Sequence, residues 1–274
     1  MKNYKIIASD LDGTLLNDDG EISKENIDAI NTFYNKGIAF VPCTGRTYSE
    51  IPEKIVNIPA IRYIIHSNGA VVYDRENGTR ILNCIDRNTA KTVWDIFDSF
   101  ETHITFRHNG QCFVDSRFQN DASFEYYNVI VPHQIVVRDF SVLLDNFKKV
   151  SYEHDNIEVF SVFFHNYEDK VRCRKLIEQT KKLKTVEASE FNLEIMSIDA
   201  GKGSALCSLA DMLGVAYDET IGVGDSDNDN TLIKSAGLGL ATSNACESLK
   251  EIADEIICSN EEHIAEYILK HYLF

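Results

Sequence analysis

Ser9-Asp10-Leu11-Asp12-Gly13-Thr14-Leu15-Leu16 follows directly on the apolar run Tyr4-Lys5-Ile6-Ile7-Ala8. A short run of this kind reads as a buried strand, and open α/β sheets place their ligand sites just beyond the carboxyl ends of such strands. Asp10 and Asp12 therefore stand at an active-site address. Their side chains share one side of the chain wherever strand geometry persists, and Gly13 lets the backbone turn sharply behind them. Paired carboxylates here can hold a hard cation such as Mg²⁺, or one can attack an electrophile while the other moves protons. The plainer alternative is a solvated Asp-Gly turn.

The flanking sequence repeats the same grammar. Ser23 is an N-cap for a helix whose Ile27, Ile30 and Phe33 keep helical spacing, with Ile22 and Ile27 placed for a hydrophobic staple and Gly37 as the stop. A second strand over 38–42 ends in Cys43-Thr44-Gly45-Arg46. A helix is expected over 48–57, and a third strand over 63–66 ends in Ser67-Asn68-Gly69-Ala70. Strand, helix, strand in this order implies a parallel sheet.

The pattern then changes. A hairpin over 71–82 leads to a helix over 88–99, a hairpin turning at Asn109-Gly110, a strand over 157–164, a helix over 168–181, and strands over 185–188 and 193–196. This reads as an α+β domain inserted into an α/β one: residues 1–83 and 188–274 form the core, and 84–187 the insertion. Trp94, at helical spacing with Val93 and Phe97, belongs to the insertion's core. The α/β pattern resumes with a helix over 202–213 stopped by Gly214 and a strand over 220–223 that ends in Gly224-Asp225-Ser226-Asp227-Asn228-Asp229. A helix over 230–235, a strand over 237–241, an edge strand over 255–257 and a helix from Glu262 complete the chain.

Composition narrows the partners. The 274 residues are 44% hydrophobic and 26% charged, with a formal net charge of −16. So acidic a chain has no basic stripe for nucleic acid or for an anionic membrane surface. A small phosphorylated molecule remains open, because a metal and a few cations reverse the field locally. The seven cysteines contain no Cys-x-x-Cys pair, so buried thiols of a reducing compartment are expected rather than a disulfide framework or a zinc site. With no signal-like or membrane-length apolar segment, the expected location is the cytoplasm.

Asp10 and Asp12, Thr44, Lys202, and Asp225 with Asp229 all fall at strand or helix ends. Carboxylates converging on one sheet edge repel unless a divalent cation sits among them, and Mg²⁺ suits all-oxygen ligands. A lysine and a threonine hydroxyl supply what the remaining oxygens of a phosphate need. The set describes phosphoryl transfer. Each member has a quieter explanation: Thr44 as a helix cap, Lys202 as a solvated helix residue, Asp225 and Asp229 as loop and cap residues.

Taken together, these motifs resemble the haloacid dehalogenase superfamily, and within it the Cof-type (IIB) phosphatases. The resemblance rests on Asp10 to Thr14, Thr44 in Thr44-Gly45-Arg46, Lys202 in Gly201-Lys202-Gly203, and Gly224-Asp225 with Asn228-Asp229. Asn68-Gly69-Ala70 and Ser243-Asn244-Ala245 add to it. Asn230-Thr231-Leu232 and Thr242 depart from the usual pattern, which carries methionine and apolar residues there. The resemblance implies a Rossmann-like parallel-sheet core with an inserted cap of the C2B type. It further implies Asp10 as nucleophile, Asp12 as general acid and base, and Thr44, Gly45, Arg46, Lys202 and Asn228 around the phosphate. Mg²⁺ would lie on Asp10, the Asp12 carbonyl and Asp225, with Asp229 as a further ligand, or with Asp229 or Asn228 acting through water or by positioning Lys202.

The expected activity is Mg²⁺-dependent hydrolysis of small phosphate monoesters, sugar phosphates or phosphorylated cofactors, by a monomer or weak dimer. A phosphomutase of the same fold and a non-catalytic sensor of phosphorylated metabolites are the alternatives. A lid closing over the core would choose the substrate. Arg107, His108, Asn109, Glu190 and Asn192 are its candidates, each otherwise a polar turn residue facing water.

Overall fold

The computed structural model describes residues 3–273. Two compact units divide them. The first takes residues up to Arg46, Ile51–Ile81 and everything from Gly201 on; the second takes Thr47–Glu50 and Leu82–Ala200.

The first unit is built on a five-stranded parallel sheet whose order is Glu255–Ile257, Leu238–Thr242, Thr220–Gly224, Ile6–Ser9, Ala39–Pro42. All four residues of Ile6–Ser9 are buried, as a strand covered on both faces must be. Its neighbours are the next strand along the chain on one side and a strand more than two hundred residues away on the other. The chain therefore reverses its winding direction at this strand, and ligand crevices form at such a switch point. Ser23 caps the helix Lys24–Asn35, its side chain accepting from the Asn26 amide. The strand Tyr63–His66 joins Cys43 by a single parallel bridge and pairs antiparallel with Val71–Asp74. Between these strands the expected helix over 48–57 is interrupted. Tyr48–Glu50 is a 3-10 turn, and Glu53–Val56 starts only after Pro52, which cannot lie inside a helix.

The second unit carries a six-stranded mixed sheet ordered Leu183–Val186, Asn192–Ser197, Ile157–Phe164, Thr102–His108, Gln111–Asp115, Ser141–Leu144. Only the last pair is parallel. The hairpin turns at Asn109 and Gly110, both at positive φ, as a two-residue hairpin loop requires. On one face Ile104, Phe106, Phe160 and Val162 meet Trp94, Phe97 and Phe147 from the covering helices. Trp94 lies edge-on to Phe97, Phe147 and Phe160, a core residue as its spacing predicts.

The insertion ends later than the expected residue 187. Asn192–Ser197 pairs with Ile157–Phe164, and this hydrogen bonding keeps the chain in the second unit as far as Ala200. Thr47–Glu50 joins the same unit through buried side chains: Thr47 donates to Glu158 at 3.1 Å and Arg107 to Glu50 at 3.2 Å. Arg107 and Asn192 are thus not turn residues facing water. Arg107 is buried between Glu50 and Glu194, and the Asn192 amide donates to the Val162 carbonyl. All seven cysteines are free thiols. Among the described residues no helix is long and apolar enough to cross a membrane.

The opposite face of this sheet holds two buried histidines. His103 lies among Phe118, Phe124, Tyr127 and Phe163, with His133 edge-on to it. Burial pulls His103 from its ordinary 6.5 down to about 4, against a weaker upward pull from the Phe118 backbone and Asp115. Burial, then repulsion from Arg107 and His103, pushes His133 down as well. A base that folding keeps neutral is protonated first in the unfolded chain. This stability is therefore complete above pH 6.5 and drains away as the pH falls toward 4. His103 alone is expected to remove about 2 kcal/mol between neutral pH and about pH 5. Urea unfolding at the two pH values measures the loss. A His103→Phe variant that keeps the wild-type pH slope would rule this histidine out as its source.

Candidate active site

The register of the parallel sheet assembles the site. Ser9 lies opposite Val223 and Pro42, and the Asp10 amide donates to the Val223 carbonyl at 3.0 Å, so residues 10, 43 and 224 leave the sheet side by side. Asp10, Asp225 and Asp229 offer carboxylate oxygens within 4.8 Å of one another. Lys202, the first residue of the helix Lys202–Leu213, enters this group from the far side of the chain's insertion. Its Nζ donates to Asp10 Oδ1 at 2.8 Å and to Asp229 Oδ1 at 2.6 Å, with no side-chain exposure.

Three carboxylates face a single ammonium. Burial raises the Asp10 carboxyl well above the usual carboxylate range, and repulsion from Asp229 adds to it, against the pull of Lys202. Asp225 moves the same way, by burial and then by Asp229. For Lys202 burial opposes the charge, but Asp10 and Asp229 outweigh it and hold the ammonium protonated. The surplus of buried negative charge and the all-oxygen donor set fit a hard divalent cation such as Mg²⁺.

Asp229 is more an anchor than a free ligand. One oxygen accepts from Lys202 and the other from the Asp225 and Ser226 amides, at 3.1 and 3.2 Å. The Asp12 side chain points elsewhere, 54% exposed, and Arg46 grips it with Nε to Oδ2 at 2.8 Å and Nη2 to Oδ1 at 2.7 Å. Arg46, expected at the phosphate, is thus engaged with the second carboxylate of the motif. Thr44 is buried, and its hydroxyl accepts from the Arg46 amide at 3.1 Å while keeping its own proton to donate. Gly45 faces Asn68: a Cβ there would lie 2.9 Å from Asn68 Oδ1. Asn228 reaches the same oxygen with its Nδ2 at 3.4 Å.

Ser67, Asn68 and Gly69 are consecutive left-handed residues, with φ of 52°, 53° and 84°. Such a run is costly outside glycine and marks a functional turn. Here it seats Gly69 where any Cβ would overlap the Gly201 carbonyl, next to Lys202. Gly13, at φ 72°, is as confined: a Cβ would fall 2.5 Å from Asp225 Oδ2.

Two contacts escape the sequence reading. Thr14 donates from Oγ1 to Asp225 Oδ1 at 3.2 Å, tying the first motif to the fourth. Thr231, where the sequence departs from the Cof-type pattern, accepts the Gly203 amide at 3.2 Å and caps the Lys202 helix, whose own N-cap, Gly201, has no side chain. Thr14 sits within the quoted motif, but nothing in its spacing assigns it a partner. Thr231 is legible only once the two helices are placed together.

Comparison with known proteins shows the family and the fold. A family model described as haloacid dehalogenase-like hydrolase matches residues 7–268. The chain is 31% identical to the phosphatase YwpJ of Bacillus subtilis (strain 168), over 98% of its own length and 100% of that protein's. It is 27% identical to the 5-amino-6-(5-phospho-D-ribitylamino)uracil phosphatase YcsE of the same organism, with 99% and 96% covered. Among solved structures, a haloacid dehalogenase-like hydrolase from B. subtilis superposes with a TM-score of 0.80 at 29% identity, covering 98% of this chain and 100% of that one.

Proposed function

Because the chain belongs to the haloacid dehalogenase-like hydrolases, as a Cof-type phosphatase, we propose that it hydrolyses small phosphate monoesters with Mg²⁺ through a phosphoryl group carried on Asp10. The observation that carries this reading is the buried Lys202 bridging Asp10 and Asp229 beside Asp225. Lys202 occupies Oδ1 of Asp10 and leaves Oδ2 as the attacking oxygen. That oxygen forms the bond to phosphorus as the bond to the ester oxygen breaks, and Asp12 gives the leaving oxygen its proton. In the second step Asp12 takes a proton from water, whose oxygen attacks phosphorus and releases phosphate and Asp10. Arg46 holds the Asp12 carboxyl group by two hydrogen bonds. Lys202 and the Thr44 hydroxyl hold phosphoryl oxygens throughout.

Mg²⁺ would be held by the Asp10 carboxylate, the Asp12 carbonyl and Asp225, and would neutralise charge on the transferring phosphoryl group. Asp229 acts by fixing Lys202. The seven free thiols favour a reducing compartment, the cytoplasm, for a protein acting there on small metabolites, as a monomer or weak dimer.

The test is phosphate release from a panel of sugar phosphates, phosphorylated cofactors and phosphorylated ribitylamino compounds, the last suggested by YcsE. Turnover is expected with Mg²⁺, none after chelation, and full recovery on adding Mg²⁺ back. Activity that survives chelation would exclude the metal. Tight ligand binding without release from any ester would turn the reading into a sensor, and release that requires a phosphorylated activator into a mutase.

A further inference from the structure

We propose that three asparagines, Asn26, Asn244 and Asn260, form a clamp that positions the turn after the nucleophile and, through it, the metal site. The inference deepens the proposed function and rests on it for the catalytic readout. Residues 11–16 form a tight turn that directs its amides inward: Thr14 and Leu16 donate to the Leu11 carbonyl and Leu15 to that of Asp10. The carbonyls of Gly13, Leu15 and Leu16 accept from outside the turn. Each meets one asparagine side-chain amide. Asn244 donates to Gly13 at 2.8 Å, Asn26 to Leu15 at 3.4 Å and Asn260 to Leu16 at 3.3 Å.

The orientation of the first two amides is fixed from their other ends. Asn26 Oδ1 accepts the Ala265 amide at 2.8 Å and Asn244 Oδ1 the Asn260 amide at 3.0 Å, so their Nδ2 groups must face the turn. Asn260 uses its second N–H on Asp18 Oδ1 at 2.9 Å. Asn26 and Asn260 are buried, where an asparagine is retained only with its hydrogen bonds satisfied. The three come from the first helix, the segment after Leu238–Thr242 and the segment before Ile264–Tyr272, so two C-terminal segments, joined by the Asn260–Asn244 bond, hold the first motif.

The clamp reaches the chemistry in two ways. Asn244 fixes the Gly13–Thr14 peptide, the one after the peptide that carries the Asp12 carbonyl, a proposed metal ligand, and Asn26 fixes the Leu15–Leu16 peptide, whose amide donates to the Leu11 carbonyl just before Asp12. The clamp also seats Gly13 and Thr14 against Asp225, the first by contact and the second by its hydrogen bond. These are positioning residues, since none of the three touches Asp10, Lys202 or Asp225.

The decisive variant is Asn244→Asp, exposed and nearly the same shape, which keeps the acceptor for Asn260 and loses the donor to Gly13. Asn260→Ala is its buried companion. With the ester that the wild type hydrolyses best, kcat is expected to fall on the order of tenfold while KM holds, because small misplacements of a reacting group are costly. The dissociation constant for Mn²⁺, read by electron paramagnetic resonance on the ester-free protein, is expected to rise severalfold. If Asn260→Ala does not fold, Asn244→Asp decides alone. A lower melting temperature with wild-type kcat and Mn²⁺ binding would overturn the clamp and leave a stabilising contact. Weakened Mn²⁺ binding in variants of a wild type that hydrolyses no ester would uphold the clamp and sink the phosphatase reading instead.

Discussion

Asp10→Asn is expected to abolish phosphate release, by at least about 10⁴-fold in kcat, while leaving the protein folded. The amide has the shape of the carboxylate but no nucleophilic oxygen, so no phosphoryl-enzyme forms. Folding survives for an electrostatic reason. The site sets three carboxylates against one ammonium, and Asp10 is already held well above the usual carboxylate range by burial and by Asp229. Removing its charge relieves repulsion, and Lys202 keeps its 2.6 Å partner, Asp229. In chelator the variant should therefore melt no lower than the wild type. In Mg²⁺ it should gain less, because one proposed ligand has lost its charge. Two measurements check this: phosphate release beside trapping of the phosphoryl-enzyme by acid quench and mass spectrometry, and thermal unfolding with and without Mg²⁺. A variant that retains a tenth of wild-type turnover would remove Asp10 from the nucleophile's role.

The first strand and its motif were legible because a buried strand, a glycine turn and two carboxylates obey local rules. Ile6–Ser9, the helix Lys24–Asn35 with its Ser23 cap, and the stop at Gly214 follow from spacing and capping alone. What local rules could not supply was decided by distant partners. The strand Asn192–Ser197 reads as an apolar segment of either unit until its pairing with Ile157–Phe164 is seen. Thr47–Glu50 belongs with the second unit through Glu158 and Arg107, residues far along the chain. The grip of Arg46 on Asp12 is likewise a matter of where two loops meet. Asn26 did leave a trace. It lies on the buried stripe with Ala29, Ile30 and Phe33, and a polar residue at an apolar position asks for a buried partner.

Lys202→Met carries the largest expected cost to the fold. The ammonium is fully enclosed between Asp10 and Asp229, and removing one member of a buried ion pair leaves the others uncompensated, at about 3–5 kcal/mol. Methionine fills a similar volume, so the loss is electrostatic rather than a cavity. Activity should vanish as well, since both the counter-charge to Asp10 and a donor to the phosphoryl oxygens are gone. Three comparisons isolate the cause, all read from denaturant unfolding followed by circular dichroism. Saturating Mg²⁺ should restore part of the stability to Lys202→Met, because a cation then sits among the same carboxylates. The double variant Lys202→Met with Asp229→Asn should be more stable than the two single losses added together, since the second change removes a charge the first left unpaired. Lys202→Arg should rescue neither fold nor activity: the charge remains, but a planar fork does not fit a site shaped for a compact ammonium. Strict additivity in the double variant would mean that Lys202 and Asp229 are not coupled, and Asp229 would lose its role as the residue that holds the lysine in place.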